Sequence, residues 1–499
     1  MLLIKYDRVL IDNIDININY IAYSMNSDRF ENYGLKLKNL VLRFETMITD
    51  NRDEYFDVAD LEIVMDFYLD SNDVIMLEKA VSYSELLFPD AVPVKLRKAQ
   101  LLSIKGALDA ALNILKDLEQ IEPENSDVLY SLGVVFSQME DHLLAIEYFQ
   151  KASLDNTDLE AIYINLAQEY RALNQLENAI VYYKKALKEN PDDDATILDL
   201  SLAYEALDMS HESIEYFRGF LSEHPYSKYA WFYLGITYLN ISLYEKCVSA
   251  MDYALAIDEK FVGAYIVKSD CYRFREDYKE AVSILTDALL RINNNLDKEL
   301  VYYNLGTNYL KMSNFDMSVI YLKKAVDINP YRFDSWLQLS ISYAALEDFT
   351  LALDCLERAL DNSIREPDFL LKVMKIYLSM EECEKAENLA IELFEKYPDN
   401  VPLLIQALHD FLNAGCYEEA LRMSNLIEAD DETEAELNMI KAVCHYKLGN
   451  KAEAYDSFRA YMMDEKSQKT FPQIFDFCEE MRTDLEIFNI ITTNIMKLN

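Results

Sequence analysis

The feature that most constrains this chain is a pattern of large and small residues that returns every 34 residues. In one copy, two small residues, Gly133 and Ala145, stand among large ones at Leu132, Phe136 and Phe149. A period of this length is typical of arrays in which each repeat is one supersecondary unit that cannot bury its apolar face alone. Small residues would let two helices approach closely, while the large ones fill the space around the contact. We therefore expect a stack of helical hairpins.

Glycine and proline are scarce, which favours helices over a fold with many tight β-turns. The 499 residues contain 9 glycines and 10 prolines, below the average usage of roughly 7% and 5%. A residue that cannot continue a helix would end the second helix of a hairpin, and prolines recur at that point of the repeat: Pro89, Pro123, Pro191, Pro225, Pro330 and Pro398. The sequence therefore predicts an all-α fold.

Further copies of the repeat carry the same residue types at the same spacing. One of them reads Tyr163, Leu166, Ala167, Tyr170, Ala179, Tyr183, Ala186 and Pro191. This order is similar to the tetratricopeptide repeat, which has an aromatic residue at position 4, Leu at 7, a small residue at 8, Tyr at 11, Ala at 20, an aromatic residue at 24, Ala at 27 and Pro at 32. On that register, the repeats start at Val58, Val92, Ser126, Glu160, Asp194, Lys228, Val262, Glu299, Phe333, Pro367, Val401 and Ala435. The resemblance implies a right-handed α-solenoid, or superhelix, of about twelve hairpins, as in bacterial-type cytoplasmic arrays.

The two ends of the chain lie outside the array, which we expect to cover residues 58–468. In the N-terminal extension, residues 1–57, one helical face predicts a capping helix: Leu37, Leu40, Val41, Phe44 and Met47. In residues 469–499, a second run with helical spacing predicts a C-terminal capping helix: Ile474, Phe475, Phe477, Cys478, Met481, Leu485, Phe488 and Ile491. The stretch before Met25 is rich in Ile and Asn and unlike the rest. We hypothesise that Met25 is the native start.

The charge and the hydropathy pattern limit the classes of partner. Lys and Arg total 47 against 88 Asp and Glu, a formal charge of -41, which disfavours binding to nucleic acid. The same charge either attracts basic partners or keeps a large surface soluble. No segment approaches the roughly 18 consecutive apolar residues that a membrane span needs, so membrane insertion is not expected. The 7 cysteines are widely separated and contain no C-x-x-C pair, which favours reduced thiols in a cytoplasmic protein.

No group of residues in the sequence indicates catalysis. The 5 histidines form no recognisable ligand pair, and the glycines lack the spacing of a phosphate-binding loop. Carboxylate pairs abound in so acidic a chain, so their presence says little about acid–base chemistry. We expect no catalytic residue, no metal site and no cofactor, and hence no enzyme.

The candidate binding residues follow from the geometry of the first helix of each hairpin. Positions 4, 7, 8 and 11 lie on one side of that helix, and positions 2, 5, 6, 9, 12 and 13 lie opposite. The resemblance implies that the second set lines the concave groove of the superhelix. The candidates there are Tyr130, Asn165, Phe232, Tyr233, Ile236, Ile266, Arg273, Tyr303, Asn304 and Leu337. A contiguous apolar and aromatic surface is typical of an interaction site.

Alternatives stay open for both the surface and the function. Tighter packing between repeats, self-association or insertion of the chain's own termini would bury the same residues. We expect a scaffold or adaptor that binds peptide segments or partner helices in the groove, favouring apolar anchors and basic flanks. The alternative is a signalling regulator whose superhelix changes shape when a peptide binds.

Overall fold

The structure is a computed structural model that describes residues 35–50, 54–154, 158–427, 431–463 and 474–496. Every regular element in these ranges is a helix. The hypothesis about Met25 falls outside the described residues. The chain forms two compact units, Met1–Thr237 and Tyr238–Asn499, and each is described by itself.

In the first unit, α1 precedes five complete hairpins and the helix in which the division falls. The helices are α1 Leu35–Asp50, α2 Val58–Asp70, α3 Val74–Leu87, α4 Val92–Ile104, α5 Leu108–Ile121, α6 Ser126–Gln138, α7 His142–Ala152, α8 Leu159–Ala172, α9 Leu176–Glu189, α10 Asp194–Ala206, α11 Ser210–Glu223 and α12 Lys228–Asn240. The even-numbered helices from α2 onward are the first helices of the repeats. The odd-numbered helices from α3 onward are the second helices.

The second unit continues the same alternation and ends in short elements. Its helices are α13 Tyr244–Ile257, α14 Val262–Phe274, α15 Tyr278–Arg291, α16 Asn295–Lys311, α17 Phe315–Ile328, α18 Phe333–Ala345, α19 Phe349–Asp361, α20 Pro367–Ser379, α21 Cys383–Lys396, α22 Val401–Asn413, α23 Tyr417–Ser424, α24 Asp431–Lys447, α25 Lys451–Tyr461, α26 Ile474–Phe477 and α27 Leu485–Met496, with a 3-10 helix at Glu479–Thr483.

The repeat register places most helix starts correctly. Nine of the twelve expected starts are the first residue of a helix, while α8, α16 and α24 begin one or four residues earlier, at Leu159, Asn295 and Asp431. The three residues that interrupt the period, 296–298, lie inside α16 and lengthen this helix rather than a loop. The predicted all-α stack of helical hairpins is therefore confirmed.

Close contact between the two helices of a hairpin explains the small residue at position 8. A Cβ atom added to Gly133 would lie 2.6 Å from Cδ1 of Phe149 in α7, and one added to Gly306 would lie 2.5 Å from Cγ of Leu322 in α17. Phe149 and Leu322 are fully buried. Glycine is thus required by the approach of the second helix, as the sequence pattern predicts.

The turn within each hairpin has one residue in the left-handed region. This residue stands at position 15 of the repeat and has a positive φ whether it is glycine, as Gly106 (76°), or not, as Glu140 (61°). This residue follows the first helix, and the amide of the next residue bonds back to one of the last carbonyls of that helix. The N–H of Asp141 donates to the carbonyl of Phe136 at 2.9 Å. This pattern of a left-handed residue followed by a back-bonded amide closes the helix and directs the chain into the second one.

Replacing Glu140 with glycine is expected to raise the free energy of unfolding by about 0.5–1 kcal/mol, because glycine removes the Cβ clash of the left-handed conformation at some entropic cost. The matched control is Gly106→Ala, which should lower that free energy because Gly106 has the same conformation. Urea denaturation measures both. A destabilised Glu140→Gly protein would show that the side chain of Glu140 makes a contribution beyond its backbone geometry.

Helix α1 covers the N-terminal end of the first unit. Leu40, Val41, Phe44 and Met47 are buried, on the helical face that the sequence indicates. The Phe44 ring packs against Tyr68 of α2 with ring centroids 6.1 Å apart. The capping helix thus completes the apolar core of the first hairpin.

The C-terminal end is covered by three short elements where the sequence suggests one helix. Ile487 and Ile490 are buried, whereas Leu485 and Phe488 are 80% and 59% exposed. The reason is Asp484, whose Oδ1 accepts the backbone N–H groups of Glu486 and Ile487 at 3.0 and 3.3 Å and so starts a new helix. A new helix start changes which residues share the buried face.

Candidate partner-binding surface

First helices of neighbouring repeats lie side by side in part of each unit. Contacts join α2 to α4 and α4 to α6 in the first unit, and α14, α16, α18, α20, α22 and α24 in sequence in the second. We call the side formed by positions 2, 5, 6, 9, 12 and 13 of these helices the inner face. It is opposite the side on which Gly133 and Gly306 meet the second helices.

Polar contacts link inner-face residues of successive repeats in the first unit. Arg97 forms an ion pair with Asp66. Gln100 Nε2 donates to Ser131 Oγ at 3.0 Å. These partners stand about one repeat apart, so the inner face presents a continuous row of polar groups rather than isolated side chains.

Two predicted binding residues in the first unit are in direct contact. Asn165 Nδ2 donates to the hydroxyl of Tyr130 at 3.0 Å and to the carbonyl of Ala161 at 2.9 Å. Burial raises the pKa of Tyr130, so this phenol is neutral at ordinary pH. Both side chains are partly exposed. With its oxygen accepting from Asn165, the Tyr130 hydroxyl can donate its proton to a carbonyl of a bound segment.

Six of the ten predicted residues are buried in this structure. Exposed fractions are at most 8% in this group: Phe232, Tyr233, Ile236, Ile266, Asn304 and Leu337. Leu337, for example, belongs to the same apolar core as Phe369 and Leu371 of α20. Burial agrees with the alternative that packing between repeats covers the apolar residues. The other four, Tyr130, Asn165, Arg273 and Tyr303, are partly exposed. Direct contact of all ten with a partner stays a prediction.

In the second unit, Arg273 and Tyr303 lie in a region that holds three further charged groups. Arg273 donates to Oδ1 of Asp270 from Nε at 3.0 Å and from Nη2 at 2.7 Å. The guanidinium carbon of Arg332 lies 5.1 Å from the centre of the Tyr303 ring. Burial and the nearby Asp334 raise the pKa of Tyr303, which therefore stays a neutral donor.

Arg332 and Glu299 form a buried ion pair beside this ring. Nη1 of Arg332 lies 3.0 Å from both carboxylate oxygens of Glu299, and the side chains are 11% and 4% exposed. Burial raises the pKa of Glu299, and the charge of Arg332 opposes this shift. The sequence reasoning did not select this pair. The sequence feature that indicates the pair is two opposite charges 33 residues apart, a separation close to the repeat period.

Two cysteines differ from the expectation of reduced thiols. Cys383 and Cys416 are joined by a disulfide with Cα atoms 6.1 Å apart, whereas Cys247, Cys271, Cys355, Cys444 and Cys478 are free and buried. The two bonded residues are 33 positions apart, so stacking brings them together although no short motif connects them. A search for cysteines one period apart would have found them.

His409 does not present a free ring to a ligand. It stacks on Phe477 at 5.2 Å between ring centroids, and its Nε2 lies 3.5 Å from Glu436.

In the described part of the chain, no helix is long and apolar enough to cross a bilayer.

Comparison with known proteins identifies the repeat. Residues 126–153, 161–193 and 300–332 match family models of the tetratricopeptide repeat. No curated protein matches the chain.

Several solved structures are similar to this one. A chain in the crystal structure of the APC/C hetero-tetramer Cut9–Hcn1 is 12% identical to this one. The match covers 76% of this chain and 89% of that chain, with a TM-score of 0.37. YrrB, described as a TPR protein with an unusual peptide-binding site, is 23% identical over 39% of this chain and 96% of its own, with a TM-score of 0.30. TTC0263, a thermophilic TPR protein in Thermus thermophilus, is 18% identical over 37% of this chain and 99% of its own, with a TM-score of 0.30.

The matched segments coincide with hairpins α6–α7, α8–α9 and α16–α17. In the first and last of these, the small residue at position 8 lies against the second helix. The chain thus contains tetratricopeptide repeats in these three segments.

Proposed function

We propose that the chain is a protein–protein interaction scaffold that binds peptide segments or partner helices along its inner face, the side expected to line the concave groove. Stacked repeats of this kind form extended binding surfaces. The observation that carries the proposal is the partly exposed Tyr130–Asn165 pair. It places a phenolic hydroxyl and an amide side by side, where both can hydrogen-bond to the backbone of a bound segment.

The chemistry of the accessible residues narrows the class of ligand. Tyr130 and Tyr303 offer aromatic surface for apolar anchors, and Asn165 and Arg273 offer polar contacts at the same face of their helices. The formal charge of -41 favours segments with basic flanks, because long-range attraction raises the rate of encounter with a cation. We place this scaffold in the cytoplasm and assign it no catalytic role.

Substituting both members of the Tyr130–Asn165 pair, as Asn165→Ala with Tyr130→Phe, is expected to weaken partner binding about tenfold or more, because a few central residues carry most of the affinity of an interface. The partner is first defined by photo-crosslinking in its own cells, with benzoylphenylalanine in place of Tyr130. The control carries the same group at Tyr253 of α13, a second helix, where the side chain is 55% exposed.

Crosslinks to one partner from position 130 and not from position 253 would support the inner face. Titration of the purified partner against the double variant then measures the change in Kd. Equal crosslinking from both positions, or an unchanged Kd, would contradict the proposal.

A further inference from the structure

The disulfide between Cys383 and Cys416 joins two consecutive hairpins at the same end. Cys383 is the first residue of α21, and Cys416 directly precedes α23. Both therefore stand where the chain enters the second helix of its hairpin. Their Cα separation of 6.1 Å is within the range that a disulfide spans without moving the backbone.

The hairpin that this bond secures has an unusually short second helix. Helix α23 has 8 residues, while the second helices of the other described repeats have 11 to 14. It buries only Ala420, Met423 and Ser424, so it contributes little apolar surface to the stack. A segment with so few buried contacts is expected to open more readily than its neighbours.

One other strong contact holds α23 to α21. Arg422 donates from Nε and Nη2 to the two carboxylate oxygens of Glu387 at 2.7 and 2.8 Å. The Arg422 side chain is 53% exposed, so solvent and salt weaken this pair. The disulfide is therefore a constraint at the start of α23 that solvent and salt do not weaken.

We propose that Cys383 and Cys416 are a reversible thiol–disulfide site, and that its oxidation state sets the local stability of the eleventh hairpin, α22–α23. The substrate class is a low-molecular-weight disulfide such as glutathione disulfide. Cys383 is partly exposed, while Cys416 is 4% exposed. Cys383 is therefore the sulfur that an external disulfide reaches first, and Cys416 is the resolving thiol.

The reaction proceeds in two balanced exchanges. The Cys383 thiolate attacks one sulfur of the external disulfide, forms a mixed disulfide and releases one thiol. The Cys416 thiolate then attacks the Cys383 sulfur, forms the internal bond and releases the second thiol. Two electrons pass from the cysteine pair to the external disulfide, and the two protons leave with the released thiols. An excess of reduced thiol reverses both steps.

The test uses the full-length protein in glutathione buffers of increasing oxidised fraction. Peptide mapping without reductant should show one cross-link, between the peptides that carry Cys383 and Cys416. Hydrogen exchange of residues 401–424 should become at least about tenfold faster when the bond is reduced, because the constraint on the opened segment is lost. Exchange in α16 and α17, which contain no cysteine, should not change.

Two variants keep the result interpretable. Cys383→Ala with Cys416→Ala should exchange like the reduced wild-type protein in both buffers. Cys355→Ala, which removes a free buried thiol, should respond to oxidation like the wild type. Reduced wild-type protein provides the same comparison if the double variant folds poorly.

Three outcomes would overturn the proposal. The first is failure of the pair to oxidise in glutathione disulfide, and the second is exchange of residues 401–424 that does not depend on the bond. The third concerns Glu419, whose carboxylate lies with the two sulfurs in a group of ligand atoms within 4.8 Å of one another. If the reduced protein binds one equivalent of Zn²⁺ that prevents oxidation, the three residues form a metal site instead.

Discussion

Replacing Arg332 with methionine is expected to lower the free energy of unfolding by about 3–5 kcal/mol, because it leaves the buried carboxylate of Glu299 without its counter-charge. The two side chains are 11% and 4% exposed, so water cannot replace the lost partner. Urea denaturation, followed by hydrogen exchange in α16 and α18, measures the loss and its location. The double variant Arg332→Met with Glu299→Leu should recover most of the stability, since no charge is then left buried.

The loss of stability in the Arg332→Met protein depends on pH. Burial already raises the pKa of Glu299, against the opposing charge of Arg332, so removing Arg332 raises it further. A carboxyl with a higher pKa in the folded state favours folding below its unfolded pKa, and this contribution is lost as the pH rises through the folded pKa. The destabilisation should therefore be larger at about pH 8 than at about pH 5.

Arg291 provides the matched control for the buried pair. It pairs with Glu259 across one repeat at 3.1 Å, but the side chains are 41% and 65% exposed. Arg291→Met should therefore change the stability little, and with no such dependence on pH. A similar loss in both variants would show that net charge, and not the buried pair, determines the effect.

The sequence predicts those parts of the fold that depend on one hairpin alone. Small and large residues at fixed spacing predict that Gly133 faces Phe149, because both positions are determined by the contact between two helices of the same repeat. The first residue of most helices is also predicted correctly, because the repeat register sets it within one hairpin. Non-glycine residues in the left-handed turn, such as Glu140, give no such signal, because their side chains do not reveal that conformation.

Properties that depend on the packing of two neighbouring repeats are harder to predict from the sequence. Helical periodicity places Leu337 on the inner face, but the packing of adjacent first helices decides that it is buried. The Arg332–Glu299 pair and the Cys383–Cys416 bond also form between repeats. The candidate site is therefore predicted as a helix face, while the subset of residues that a partner can reach requires the structure.

Replacing Phe149 with alanine is expected to lower the free energy of unfolding by about 3–5 kcal/mol, because a fully buried ring would be lost and a cavity left behind. The ring occupies the space in front of Gly133, where an added Cβ would lie 2.6 Å from its Cδ1 and Cε1 atoms. Gly133→Ala alone should therefore destabilise by about 1–3 kcal/mol through overpacking. Urea denaturation of the four proteins of this cycle measures the coupling between the two positions.

The sign of the Gly133→Ala effect should reverse when Phe149 is absent. In the Phe149→Ala background, the new methyl group enters the cavity and removes a flexible glycine from a helix, so both effects are stabilising. Gly219 of α11 is the control for glycine replacement itself, because a Cβ added there meets no atom within 4 Å outside the neighbouring backbone of its own helix. Gly219→Ala should stabilise the wild type by about 0.5–1 kcal/mol. If Gly133→Ala were equally stabilising in the wild type, the contact between α6 and α7 would be looser than the structure has it. The role of position 8 in setting the distance between the two helices would then be wrong.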